Sequence, residues 1–164
     1  MQLASTLETA TFGSIPRHDI MSWKYRKLLM NLGNSIEAVC GREAIGGRLG
    51  TMVRAEGEAV LAAAGIAAVS AEDDLARRGD ALTIQPVGNE PHRSGGSSWQ
   101  SLQRGTGTIE TDQLTGEIVL LGRLHGVATP ANRALQEIAA RMALAGEPPA
   151  SRSEADVLES LGVT

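Results

Sequence analysis

The chain has 164 residues, 42% hydrophobic and 21% charged, which is the composition of one ordinary globular domain. Its net charge of −4 argues against nucleic acid or an anionic membrane as the main partner, and no apolar run approaches the roughly 20 residues that a membrane-spanning helix needs. Cys40 is the single cysteine, which excludes an intrachain disulfide and a cysteine metal cluster. No secretory signal opens the sequence, so a reducing, cytoplasmic location is the default expectation.

The first part of the chain predicts an irregular lead-in followed by two long helices. Residues 1–17 are polar and mixed, and we expect no regular structure there. Asp19 is suited to cap a helix over residues 20–40, which Gly41 would end. A second helix is expected over residues 42–64, and its internal glycines would let another helix approach closely.

The middle of the chain predicts two shorter helices around a loop. Ser70 is placed to cap a helix that ends near Arg78. Residues 86–96 contain two prolines and three glycines and form the clearest loop in the sequence. Ser97 and Gln100 have the spacing of a capping box, so a helix should begin at this serine.

The last part of the chain predicts three more helices. The first is expected over residues 109–126, and the second over residues 130–144 with Thr129 as its cap and Pro130 at its first position. A short final helix is expected near residues 154–161.

No segment alternates with the period of a strand, so the fold class is predicted to be all-α. The helical domain is expected at residues 18–146, between the lead-in at 1–17 and a C-terminal tail at 147–164 that carries the short helix.

A polar line on the first long helix is the leading candidate for a functional site. Lys27, Asn31 and Asn34 are spaced four and three residues apart, so they share a face roughly 130° from the leucine stripe at about 100° per residue. A lysine flanked by amides can donate hydrogen bonds to a carboxylate or carbonyl oxygen and can supply a proton. A solvated helix face explains the same spacing, although asparagine is a poor choice for an exposed helix interior.

Two further candidates lie in the second half of the chain. Glu110 falls on the stripe of the 109–126 helix that we expect to be buried, although a carboxylate in a first helical turn is also favoured by the helix dipole. Ser97 and Ser98 follow two glycines at a helix N-terminus, an arrangement that suits anion binding but that capping explains equally well. The three histidines have no metal-ligand spacing, and no phosphate-binding or dinucleotide-binding glycine motif occurs.

Four blocks of sequence, taken together in order and spacing, resemble the C-terminal domain of ketopantoate reductases over roughly residues 10–145. Those enzymes are NADPH-dependent 2-dehydropantoate 2-reductases of pantothenate biosynthesis. The blocks are W-x-x-x-KLL-x-N at 23–31, GSSWQSLQRGTGTIETD at 96–112, L-x-GEIV at 114–119 and HGVATPAN at 125–132.

The resemblance implies a bundle-like helical domain of the 6-phosphogluconate dehydrogenase type, which closes against an N-terminal Rossmann domain with the active site between them. It gives Lys27 the role of the catalytic lysine that protonates the keto oxygen. It implies that Glu110 binds the substrate hydroxyl, that Ser98 holds the substrate carboxylate, and that Asn31 lines the same cleft, with Asn34 beside it on the polar line.

The sequence also departs from that family. The second asparagine of the first block often stands eight residues after the lysine; here that position is Ser35, and Asn34 comes one residue earlier. This departure suggests a divergent subgroup, so the substrate is expected to be ketopantoate or another 2-keto acid.

The cofactor domain that the resemblance implies is not found in these 164 residues. We therefore expect a substrate-binding and catalytic half that binds no NADPH alone and works with a separate Rossmann-domain chain, with a homodimer as a further possibility. The alternatives are a non-catalytic helical interaction or dimerisation module and an inactive truncated remnant.

Overall fold

A computed structural model describes residues 2–10, 12–79 and 95–163. These residues form helices and loops and contain no strand, which confirms the all-α prediction. The α-helices are α1 (Gln2–Thr9), α2 (Ile20–Cys40), α3 (Arg48–Ala63), α4 (Ala71–Arg78), α5 (Ser97–Gln103), α6 (Thr115–His125), α7 (Pro130–Ala145) and α8 (Glu154–Ser160). Two short 3-10 helices, Arg42–Gly46 and Glu110–Gln113, precede α3 and α6. No helix in the described ranges is long and apolar enough to cross a membrane.

Helix α2 is the centre of the domain. It packs against α3, α5 and α7, and α6 lies against α3 and α7. Its leucine stripe supplies Leu32 and Ile36 to the core, where they meet Leu49 of α3 and Leu135 and Met142 of α7, all essentially inaccessible to solvent. The apolar face of one long helix thus organises the packing of the others.

Close packing between α2 and α3 depends on a glycine. A Cβ atom at Gly57 would lie 2.8 Å from Cδ2 of Leu29 and 3.0 Å from Cδ1 of Leu32. A side chain at this point would displace the methyl groups of both leucines, so the close approach of the two helices favours glycine, as predicted.

The N-terminus of α7 is capped by a carboxylate from α3. The Oε1 atom of Glu56 accepts a hydrogen bond of 2.8 Å from the backbone N–H of Ala131, and Oε2 accepts one of 2.9 Å from the N–H of Asn132. The Asn132 side-chain amide donates to the same Oε2 at 2.8 Å and to the Val53 carbonyl at 3.0 Å. Thr129 makes no side-chain capping bond, although Pro130 does open the helix as predicted.

The segment after α7 forms hydrogen bonds with both α2 and α3. The backbone N–H groups of Ala150 and Arg152 donate to the Ala38 and Val39 carbonyls at 2.9 and 3.1 Å, near the C-terminal end of α2. Oε1 of Glu154 accepts a 2.8 Å hydrogen bond from the N–H of Leu49, in the first turn of α3. The predicted tail therefore satisfies backbone groups at two helix ends that their own helices leave free.

The helix predicted over residues 42–64 is interrupted, and the prediction of one continuous element was wrong. Residues Arg42–Gly46 form a 3-10 helix, Gly47 is extended, and α3 begins at Arg48. A Cβ atom at Gly50 would overlap the carbonyl oxygen of Ile45, so the chain can fold back this tightly only because residue 50 is glycine.

The helix predicted over residues 109–126 is also broken. Glu110–Gln113 form a 3-10 helix, Leu114 leaves helical geometry with φ −112° and ψ −92°, and α6 starts at Thr115. Glu110 consequently does not continue the buried stripe of α6; it is exposed, and Thr111 is buried instead. The prediction that Glu110 lies on a buried face was wrong.

Three smaller differences concern the N-terminal region and the helix caps. Residues Gln2–Thr9 are helical rather than irregular, but α1 buries no side chain. Asp19 makes no capping bond; its carboxylate accepts hydrogen bonds of 2.8 and 2.6 Å from Arg17, and these lower the pKa of Asp19 well below its usual range. Gly96, not Ser97, is the N-cap of α5.

Other predicted helix boundaries are confirmed. Ser70 accepts a hydrogen bond from the N–H of Asp73 at the start of α4, and Gly126 ends α6 in the left-handed conformation. Helix α8 begins at Glu154, as expected, and Ser153 caps it. Most of the loop predicted at residues 86–96 lies outside the described residues.

Replacing Glu56 by Ala should lower the free energy of unfolding by about 2–4 kcal/mol, because three N–H donors would lose a charged acceptor at once. Urea denaturation followed by circular dichroism measures this. Glu58→Ala, an exposed neighbour on the same helix, is the matched control and should change stability by about 0.5 kcal/mol or less. Equal effects of the two substitutions would contradict the capping role.

Candidate functional site

The polar line of α2 runs from solvent into the protein. Lys27 is exposed, Asn31 and Asn34 are partly buried, and Glu37, one i,i+3 step further along, is only 9% exposed. In the described part of the chain, Lys27 and Asn31 make neither hydrogen bonds nor ion pairs. The line is therefore open at its N-terminal end and covered at its C-terminal end.

The cover is the Gly95–Gly96 segment that leads into α5. The N–H of Gly96 donates a 2.8 Å hydrogen bond to Oε2 of Glu37. A Cβ atom at Gly96 would lie 3.1 Å from both Oδ1 of Asn34 and Oε2 of Glu37, so the close approach of this backbone to the polar line favours glycine. The Gln100 side chain donates to the Gly95 carbonyl at 2.9 Å and fixes the segment from the other side.

Ser98 follows this segment and is 1% exposed. Its Oγ atom has no hydrogen-bond partner in the structure. A buried hydroxyl without a partner is unfavourable by about 1–3 kcal/mol, so such a group calls for an explanation beyond packing. Ser97, the neighbour that the capping prediction favoured, is exposed.

Glu110 lies on different elements. Its 3-10 helix packs against α6 and α7, whereas the polar line of α2 is covered by α5. The structure thus brings Asn34 together with the segment that precedes Ser98, and it leaves Glu110 exposed on the 3-10 helix ahead of α6.

A cavity of about 410 Å³ opens beside the covered end of the polar line. Its lining residues are Glu37, Arg42, Ile45, Gly95, Gly96, Ser97 and Gln100. The cavity therefore combines a carboxylate, a guanidinium group and a side-chain amide, which can hold a small polar molecule by both of its ends.

Sequence reasoning missed Glu37 and Arg42. A signal for Glu37 was present, because it continues the spacing of the polar line three residues after Asn34. No comparable signal existed for Arg42, because its place beside the cavity depends on the 3-10 helix that interrupts the predicted 42–64 helix.

The remaining reactive groups do not suggest another chemistry. In the ranges 2–10, 12–79 and 95–163, no group of histidine, cysteine and acidic side chains has the arrangement of a metal site. Burial, aided by the negative charges of Glu154 and Asp156, raises the pKa of Cys40 from 9.0 to about 11. A thiol held neutral in this way is a poor nucleophile near pH 7.

The C-terminal domain model of the PanE/ApbA ketopantoate reductases matches residues 19–143. The chain belongs to this family. The resemblance found in the sequence is confirmed, and the matched range extends from the start of α2 nearly to the end of α7.

A solved structure shows the same fold. It is the crystal structure of a PanE/ApbA family ketopantoate reductase from Ralstonia eutropha JMP134, which has 24% sequence identity to this chain and a TM-score of 0.56. The match covers 74% of this chain and 41% of that chain, so the present sequence corresponds to less than half of the Ralstonia protein. No curated protein gives a significant match.

The Cys40 thiol should react with iodoacetamide roughly tenfold more slowly at pH 8 than the same thiol in the urea-unfolded chain. Its raised pKa leaves about a hundredfold less thiolate, and the greater nucleophilicity of a more basic thiolate offsets roughly tenfold of this. The rate in the folded protein should keep rising beyond pH 10, and mass spectrometry follows the alkylation. A rate that levels off near pH 9 in the folded protein would contradict the shift.

Proposed function

We propose that this ketopantoate reductase family domain binds a small 2-keto acid and protonates its keto oxygen, as the substrate-binding half of an NADPH-dependent oxidoreductase. The observation that carries this proposal is the polar line of α2, which starts at an exposed lysine and ends under a glycine segment beside a polar cavity. The family match supports the same assignment.

In this proposal Lys27 acts on the keto oxygen. Its ammonium group donates a hydrogen bond to that oxygen and transfers a proton to it, while the carbonyl carbon gains a hydride, so that the 2-keto acid becomes a 2-hydroxy acid. The exposed, unpaired state of Lys27 in the described residues suits this role, since no other group competes for the ammonium.

The amides and the serine would orient the substrate. Asn31 and Asn34 lie one and two turns further along the helix face and can hold polar atoms next to the reacting carbonyl. Ser98 is the proposed partner of the substrate carboxylate, and its unpaired buried hydroxyl supports this role. Glu110 is the proposed partner of the substrate hydroxyl, as the resemblance implies.

The described residues do not fit a dinucleotide. They contain no strand and no strand–turn–helix phosphate loop, which dinucleotide-binding folds use to hold the pyrophosphate. In this family NADPH supplies the hydride, and we propose that a Rossmann domain outside residues 18–146 holds it, either in a longer polypeptide or as a separate chain.

Exposed apolar side chains at the start of α2, and in the chain before it, provide a surface that suits such a partner. The side chains that share this property are Leu3, Leu7, Phe12, Ile15, Ile20 and Met21, all exposed. Ile20 lies seven residues before Lys27, on the same face of α2. A domain docked on this surface would close over the lysine and exclude water from it; a second copy of this chain is the other candidate occupant.

A reconstitution assay tests the function. The Rossmann domain of a related reductase is added to this chain, or fused ahead of it, and NADPH oxidation is followed with ketopantoate. We expect turnover only when both parts are present, and Lys27→Ala should lower kcat by roughly 10²–10⁴-fold because the proton donor is lost.

The matched control is Lys24→Ala, an exposed lysine one turn earlier on the same helix, which should leave kcat within about twofold. A folded fusion protein without turnover, or equal losses in the two variants, would contradict the catalytic proposal and favour the non-catalytic interaction module.

The Ser98→Ala substitution should weaken substrate binding without lowering the stability of the fold. Because the hydroxyl has no partner in the structure, its removal should leave the melting temperature unchanged or slightly higher. In the reconstituted enzyme the KM for the keto acid should rise roughly 10–100-fold, since a hydrogen bond to the substrate carboxylate is lost. Ser101→Ala on the same helix is the control, and an unchanged KM for Ser98→Ala would rule out the carboxylate contact.

A further inference from the structure

A second cavity, of about 260 Å³, lies between α2 and α3; we call it the α2–α3 groove. Its floor is apolar, because Leu29, Ile36 and Val53 line it, and each of these residues is at most 6% exposed. A Cβ atom at Gly33 would lie 3.3 Å from Cγ2 of Ile45, so a larger residue there would narrow the groove. A space of this size can hold a small organic molecule, since an apolar cavity of about 150 Å³ already holds benzene.

The α2–α3 groove is separate from the polar line. Leu29 and Ile36 lie roughly 170° around α2 from that line, at about 100° of rotation per residue. Of the residues that line the groove, only Ile45 also lines the larger cavity beside Glu37. A ligand in the groove therefore contacts none of the residues proposed to act on the keto acid.

Two arginine side chains border the groove, Arg26 from α2 and Arg54 from α3. Nη1 of Arg54 donates a 3.3 Å hydrogen bond to the Ile45 carbonyl, which holds this guanidinium group at the edge of the groove. Glu58 also lines the groove, and it forms no ion pair with either arginine in the described part of the chain. Two positive charges and one negative charge leave an excess of one positive charge, so the groove favours an anion.

One donor in this group has no acceptor. The Nε atom of Arg26 is inaccessible to solvent and makes no hydrogen bond with any described residue. A charged donor that is buried without a partner is unfavourable, and an acceptor oxygen from a ligand would remove this penalty. A carboxylate suits a guanidinium group because its two oxygens match two parallel N–H donors.

We propose that the α2–α3 groove is a second binding site, which takes a small carboxylic acid with an apolar tail. The carboxylate pairs with the guanidinium group of Arg26, with Arg54 adding to the attraction, and the tail lies on the apolar floor. This site does not depend on the function proposed for Lys27, because its lining residues and its ligand contacts are different.

Matched ligands test both halves of this recognition. Hexanoate and hexanamide have the same shape, but only hexanoate is charged, and NMR titration of the 164-residue chain at about pH 7 should show hexanoate binding at least about fivefold more tightly. From acetate through butanoate to hexanoate the affinity should rise at least about twofold per CH₂ and then level off by decanoate, whose tail outgrows the groove. Equal binding of hexanoate and hexanamide, or an affinity that rises equally steeply to decanoate, would overturn the proposal.

Two substitutions should change the affinity for hexanoate in opposite directions. Arg26→Gln should weaken binding roughly tenfold, because a charge-assisted hydrogen bond is lost, and it should not lower the melting temperature, because the Nε atom has no partner in the protein. Glu58→Gln should tighten binding about two- to threefold, because it removes an exposed negative charge beside the carboxylate. Arg123→Gln is the control, an exposed arginine on α6 that does not line the groove, and it should leave the affinity unchanged. Weaker binding in Glu58→Gln, or equal losses in the two arginine variants, would contradict the proposed charge recognition.

The unsubstituted protein provides a test that does not depend on how any variant folds. Hexanoate should shift the backbone amide resonances of Gly33 and Gly50, which line the groove, and leave those of Gly95 and Gly96, which line the other cavity, nearly unchanged. Shifts confined to Gly95 and Gly96, or no detectable binding of hexanoate, would overturn the assignment of the groove.

These outcomes are separate from failure of the proposed function. The reconstitution assay tests Lys27 through turnover, whereas the titration tests Arg26 through binding to the chain alone. Lys27→Ala should leave the affinity for hexanoate within about twofold, because the lysine does not line the groove and its exposed charge is screened by salt. A tenfold loss of hexanoate binding in Lys27→Ala would place the acid at the polar line instead and reject the groove as a second site.

Discussion

The bidentate contact between the Glu56 carboxylate and the first turn of α7 is the interaction on which the arrangement of the long helices depends. Both carboxylate oxygens are used, and together they accept hydrogen bonds from two backbone N–H groups and from the Asn132 side chain. The first turn of a helix has free N–H groups and a positive dipole end, so a carboxylate fits there in both hydrogen bonding and charge. Because Glu56 belongs to α3, the same contact fixes the position of α7 relative to α3.

The domain repeats this arrangement at two other places. Glu154 from the C-terminal segment accepts the Leu49 N–H at the start of α3, and Glu37 from α2 accepts the Gly96 N–H ahead of α5. In each case the acceptor is distant in sequence from the backbone that it satisfies. These long-range caps compensate for positions where the local cap residue makes no bond, as at Thr129.

This pattern explains which parts of the fold the sequence predicts. Caps formed by residues three apart, such as Ser70 with Asp73, are visible as local motifs, and so are glycine stops such as Gly126. The leucine stripe of α2 likewise predicted its buried face. The breaks at Gly47 and Leu114 were not predictable from periodicity, because they depend on where the chain must turn to pack against other helices.

The same limits apply to the candidate site. Spacing alone placed Lys27, Asn31 and Asn34 on one face, and extending that spacing by three residues would have reached Glu37. The break before α6 moved Glu110 off the expected stripe and left it exposed, which no sequence pattern indicated. For Glu110 the local backbone differs from the helix that periodicity predicts, whereas the role that the resemblance gives this residue stays a prediction.

Of the three remote capping carboxylates, Glu37 differs in its surroundings. Glu56 uses both oxygens on α7, whereas Glu37 uses one on Gly96 and lines an open cavity. Glu56 therefore contributes to the packing of two helices, whereas Glu37 contributes both to the packing of the glycine segment and to the polar lining of the cavity. The contact between Gly96 and Glu37 thus holds the segment ahead of α5 against α2, and it places a carboxylate in the wall of the cavity at the C-terminal end of the polar line.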